Sequence, residues 1–70
     1  AHGAPTAVVS TVPDATVLEA AQLMTARGIG GLLVLEGDEL AGIFTERDIL
    51  RRVVNEGRDP ATTPVRAVMT

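Results

Sequence analysis

The 70-residue chain contains no cysteine, no lysine, no tryptophan and no tyrosine, and its one aromatic residue is Phe44. Each absence closes a class of explanation. Without cysteine there are no disulfides, and with one histidine there is no Cys/His zinc framework. That histidine, His2, lies in the opening stretch Ala1–Pro5, which reads as a tail or expression remnant; no metal ligand is expected. The basic side chains are six scattered arginines against nine acidic residues, for a net charge of −3 and a pI of about 4.8. Nucleic-acid binding needs a basic stripe, usually with aromatic platforms on which bases stack, so it is set aside. No apolar run approaches the ~18 residues that span a bilayer. No signal peptide is visible, and a cytoplasmic location is expected. A Ser-His-Asp or Cys-His constellation cannot form, and no paired carboxylates converge on an apolar cleft. No catalytic residue is expected, and the chain does not read as an enzyme.

What is present is globular: 46% hydrophobic residues at only 21% charged. Seventy residues make one small domain, whose single core supplies roughly 3–5 kcal/mol. With no disulfide or metal to staple it, association with another domain or chain is the expected support.

The β-branched stretch Thr6–Pro13 predicts a short strand ending in an extended turn. Thr16 and Glu19 form a capping box. Val17, Ala20, Ala21 and Met24 follow on one helical face, which Leu18 and Leu23 widen. Gly28 closes that helix in a left-handed turn, giving Val17–Arg27; Met24 is core filler. Residues 30–36 are continuously apolar up to Glu36 and predict a strand buried on both faces. Residues 36–39 form a hairpin turn, and Leu40–Phe44 the return strand. A second helix is expected over Glu46–Glu56, its stripe Ile49, Leu50, Val53 and Val54 wide enough to meet its own sheet and a neighbour. Residues 58–64 read as a proline-punctuated linker, and 65–70 as the start of a further element. The order strand, helix, strand, strand, helix defines a small α/β (α+β) unit whose sheet needs cover beyond two helices.

The stretch Gly42–Asp48 carries the chemistry. Thr45 stands where strand becomes helix and is a natural N-cap, with Asp48 completing a second capping box. The same residues can instead grip a ligand. A helix start offers amides to an anion, Arg47 adds a guanidinium fork for phosphate, and Asp48 accepts from neutral hydroxyls such as a ribose diol. Gly42 allows close approach to the return strand. Spacing alone leaves both readings open. An Asp48–Arg52 pair at i, i+4 is also expected.

Three stretches in order, residues 8–24 (VVSTVPDATVLEAAQLM), 29–35 (IGGLLVL) and 40–50 (LAGIFTERDIL), resemble the CBS motif, the repeat named after cystathionine β-synthase. The resemblance covers residues 6–57, leaving 1–5 as tail and 58–70 as linker and lead-in to a second repeat. It implies a β-α-β-β-α unit that pairs with a second CBS motif, as an adjacent repeat or in a homodimer, to form a Bateman module. Such modules bind AMP, ADP, ATP or S-adenosylmethionine as regulatory ligands, sense energy state, and control attached effector domains. Carried over by position, Asp48 would hold the ribose and Thr45 would contact ribose or phosphate. Arg47 lies at a variable position, so its phosphate role is an inference from chemistry. The base would lie against Thr6 and Val9 and against Ile29, Gly30 and Gly31. The competing expectation is a ligand-free dimerisation or assembly module.

Overall fold

The computed structural model describes residues 9–70. Its first strand, β1, is the short Ser10–Thr11. It is followed by helix α1, Val17–Arg27, and by the antiparallel strands β2, Gly31–Glu36, and β3, Glu39–Thr45. A helical turn α2, Glu46–Asp48, runs into a π-helical continuation at Ile49–Val54, and a 3-10 turn covers Val65–Ala67. The sheet order is β1-β2-β3, with β1 parallel to β2 through Ser10↔Leu33 and Thr11↔Val34. The expected strand over residues 6–13 is shorter where it is described; residues 6–8 and the tail 1–5 lie outside the described residues.

Helix α1 has the bounds its local chemistry predicts. Thr16 Oγ1 accepts from the Glu19 amide at 3.1 Å, and Glu19 Oε1 accepts from the Thr16 amide at 2.9 Å. Donation from the Thr16 amide, and also from its hydroxyl, holds the Glu19 carboxyl below its ordinary pKa. At the other end Gly28, at φ 65°, donates to Met24 and Thr25 carbonyls, the left-handed exit that glycine tolerates best. Gly37, at φ 63°, and Asp38 make a two-residue turn between the paired Glu36 and Glu39. A bulge then leaves Ala41 unpaired, because Val34 faces Gly42 while Leu35 faces Leu40.

Strand β2 corrects one expectation. Leu32 and Val34 are buried, whereas Leu33 and Leu35 are only half-buried. The buried pair shares its sheet face with Phe44, the cross-strand partner of Leu32. That face receives Val17, Ala20 and Met24 from α1, Val53 from the π-helical stretch, and Val65 and Val68. Among the described residues all helical cover lies on one side, and the other face, with Leu33, Leu35 and Ile43, is left partly open.

The second helix also departs from its expected regular form over Glu46–Glu56. Asn55 donates to the Leu50 carbonyl at 3.0 Å and Arg58 to the Val53 carbonyl at 2.9 Å, both five residues back. This wide winding is the π-helical pattern. The apolar stripe splits accordingly: Val53 is buried and Ile49 packs against the core, while Leu50 and Val54 are 61% and 62% exposed.

The stretch read as a linker is part of the core. The Val17 and Leu18 amides, at the open end of α1, donate to the Thr63 and Pro60 carbonyls at 2.9 Å each. These bonds satisfy donors that a helix start leaves orphaned. The Val65 amide donates to Ala15 and the Arg66 amide to Pro13, while the Arg66 guanidinium pairs with Asp14. Val65 and Val68 are fully buried. The chain then lies along β3, where Ile43 and Thr70 exchange backbone hydrogen bonds of 2.9 and 2.8 Å. Among the described residues no helix is long and apolar enough to cross a membrane.

Candidate functional site

The site begins where β3 becomes α2. Thr45 has extended backbone, φ −130° and ψ 166°, and caps the turn. Its hydroxyl accepts from the Asp48 amide at 3.3 Å and donates to Asp48 Oδ2 at 3.2 Å; Oδ2 also accepts from the Thr45 amide at 3.0 Å. The capping box is therefore formed in both directions. Asp48 is only 6% exposed, and its other oxygen, Oδ1, accepts from the Thr70 hydroxyl at 3.1 Å. A carboxylate has about four acceptor positions, so three internal donors leave Oδ1 with room for one more. The Thr45 hydroxyl proton is committed to Asp48, which makes Thr45 a holder of Asp48 before it is a donor to anything else.

The expected Asp48–Arg52 pair does not form. Arg52 Nη1 instead donates to the carbonyl of Met69 at 3.1 Å, with Val68 at 3.5 Å. Asp48 is drawn back toward the Thr45 cap, and the start of the π-helical winding lies between the two residues, so the regular i, i+4 geometry is lost.

An open trough of about 810 Å³ is lined by Thr45, Asp48, Arg47, Arg51 and Arg52, with Gly30, Glu46 and Thr70 among its other walls. Among the described residues neither Arg47 nor Arg51 makes an ion pair. A smaller pocket of about 260 Å³ adjoins it, with Ala21, Met24, Ile29 and Ile49 as apolar walls. The two share Gly30 and Glu46. Gly30 has only the Glu46 carboxylate facing its missing side chain, at 3.5 Å or more, and the Glu46 amide donates to its carbonyl at 3.1 Å. The arrangement offers cations for an anion, one acceptor for a hydroxyl, and an aliphatic recess beside them.

Of the residues picked out from sequence, Thr45, Arg47, Asp48 and Gly30 share the trough, and Ile29 lines the adjoining pocket. Val9 does not line either; it packs against the core and its carbonyl accepts from Leu33. Thr6 lies outside the described residues. Gly31 is in β2, with Phe44 and Thr45 atoms 3.5 Å from where a side chain would begin. Sequence reasoning missed Glu46, Arg51, Arg52 and Thr70 as walls. Charge at Arg51 and Arg52 was visible in the sequence, but no local signal reveals Thr70, which reaches Asp48 across 22 residues.

The CBS domain family model matches residues 6–55. The chain is 43% identical over 60 residues to the mitochondrial CBS domain-containing protein CBSX3 of Arabidopsis thaliana, covering 81% of this chain and 29% of that protein. It is 42% identical over 65 residues to the CBS domain-containing protein YhcV of Bacillus subtilis (strain 168), covering 93% of this chain and 46% of the relative. A solved CBS-domain protein from Burkholderia ambifaria MC40-6 superposes with a TM-score of 0.87 at 43% identity, over 90% of this chain and 46% of that one. The chain thus spans less than half the length of these relatives. With the β-α-β-β-α order, the buried one-sided sheet and a family match over most of its length, this chain belongs to the CBS domain family.

Proposed function

We propose that this chain is half of a regulatory module that binds an adenosyl nucleotide (AMP, ADP, ATP or S-adenosylmethionine) and signals through its pairing with a second CBS domain. CBS domains commonly serve as regulatory or assembly units and typically pair with one another. The observation that carries the ligand reading is the trough itself. It brings Arg47 and Arg51, free of ion pairs among the described residues, together with the open acceptor position of Asp48, and it shares the walls Gly30 and Glu46 with the neighbouring aliphatic recess at Ile29. Phosphate suits the arginine forks, a ribose hydroxyl suits Oδ1, and an adenine ring suits the recess. The role is regulatory and non-catalytic, and a cytoplasmic setting belongs to the same proposal.

The test is calorimetry on the intact paired protein with each of the four ligands. For AMP, ~23 heavy atoms at about 0.3 kcal/mol each give about 7 kcal/mol, a Kd near 10 µM. Arg47→Ala weakens the phosphate-bearing ligands, and Asp48→Ala removes the preference for a ribose diol. AMP affinity unchanged in both variants would refute the assignment.

A second reading, assembly without ligand, is favoured by Ile43, Leu50 and Val54, apolar side chains that are 45%, 61% and 62% exposed. Its distinguishing result is a protein that pairs but whose melting temperature no adenosyl ligand raises.

A further inference from the structure

We propose that Thr70 is an internal stand-in for a ligand hydroxyl, so that a diol bound at Asp48 must unpin the segment Met69–Thr70 from the edge of β3. The inference rests on the nucleotide reading above and supplies the means by which that site would send a signal along the chain.

Counting donors sets the conflict. Oδ2 of Asp48 already accepts two hydrogen bonds from Thr45, and Oδ1 accepts one from Thr70. A vicinal diol brings two O–H donors to a carboxylate with about one position left. The Thr45 bonds belong to the cap that starts α2, and breaking them costs helix structure. The Thr70 bond is the one that can be given up. Access points the same way, because Asp48 is 6% exposed while Thr70, which reaches it, is itself exposed.

What Thr70 lets go is the end of a short strap whose fasteners can be named among the described residues. Ile43 and Thr70 exchange two backbone bonds, Arg52 holds the Met69 carbonyl, and the Met69 amide donates to Val65 at 2.9 Å while its side chain packs on the core, so Thr70 is the residue that swings free first. Val68, just before the strap, is fully buried and acts as the anchor about which it swings. Gly42 makes the seat: a side chain there would begin 2.8 Å from the Thr70 carbonyl oxygen. Arg52 also lines the trough, so an anion there draws on the second fastener while the diol takes the first.

The experiment uses the intact protein, wild type and Thr70→Val, titrated with AMP and with its 2′,3′-dideoxy analogue. It is paired with hydrogen exchange at the Ile43 and Thr70 amides. Removing one hydrogen bond to a carboxylate that competes with the ligand raises AMP affinity about three- to tenfold. The dideoxy analogue shows no such gain. In the wild type, saturating AMP speeds exchange at both amides. Equal or weaker AMP binding by Thr70→Val, or unchanged exchange at saturation, overturns the strap while leaving nucleotide binding in place. Absence of AMP binding by either protein overturns both.

Discussion

Gly42→Ala tests how tightly the end of the described chain is woven into the sheet. The new methyl group would sit 2.8 Å from the backbone oxygen of Thr70, 3.0 Å from Met69 Sδ and 3.2 Å from Met69 Cγ. The methionine end can swing aside, since its thioether chain is flexible. The Thr70 oxygen cannot, because it is backbone and accepts from the Ile43 amide. Relief therefore comes by lifting residues 69 and 70 off β3, with loss of two backbone bonds at about 1 kcal/mol each. Replacing glycine by alanine inside a strand returns about 0.5–1 kcal/mol of chain entropy. The net is a destabilisation of roughly 1 kcal/mol, or a fall in Tm of about 4–8 °C for a domain of this size. Calorimetric melting must be run at one fixed protein concentration, because pairing shifts apparent stability by mass action. Hydrogen exchange should show the Ile43 and Thr70 amides unprotected in the variant. The reasoning also demands coupling: Thr70→Val should cost nothing further once Gly42→Ala is present. A variant as stable as wild type, with both amides still protected, would show that the close approach does not constrain the strand.

Other perturbations probe other links. Phe44→Ala removes a fully buried side chain; at about 3–5 kcal/mol it matches the whole stability of a small core, so cooperative melting should vanish. Asp48→Ala breaks the capping box and should cost about 1–2 kcal/mol in denaturant unfolding, with Asp48→Asn milder. The depressed pKa of Glu19 stabilises the fold above the unfolded carboxyl value, and that support is lost as pH falls through the lower folded value. Glu19→Gln should therefore melt below wild type at neutral pH and converge with it in acid, and a constant gap at every pH would refute the assignment. Leu50→Arg with Val54→Arg places charge on two exposed apolar positions; circular dichroism should stay unchanged while sedimentation reports loss of the pairing proposed above.

Helix α1 was legible from residues 16–28 alone because both its ends are set by local chemistry: a Thr-x-x-Glu box in front, and a glycine free to turn left-handed behind. The Thr45 cap was legible for the same reason. The hairpin followed from an apolar run broken by Glu-Gly-Asp-Glu, although the bulge at Ala41 has no signature in residue type. The sequence predicts two-sided burial of β2 because every position from Gly31 to Leu35 is apolar. Periodicity cannot tell a strand covered on both faces from one whose second face awaits a partner. The destination of Arg52 was not legible, since its carbonyl partners lie 16 and 17 residues on. Nor was the Thr70 wall of the trough, for the same reason of distance. Local spacing picks out the residues at which the candidate site begins, and tertiary contacts supply its remaining walls.

The burial of Val65 and Val68 separates two units that are easily taken as one. The stretch matched by family statistics stops at residue 55, yet the hydrophobic interior and the amides opening α1 are completed by residues 60–68. A cassette cut after Gly57 would carry the family signature and lack Val65 and Val68, two of the nine side chains in the buried cluster of the described residues. Recombination between relatives, natural or engineered, should succeed at breakpoints beyond Val68 and fail between Gly57 and Val65. What is inherited as a folding piece is thus longer than what is recognisable as a repeat.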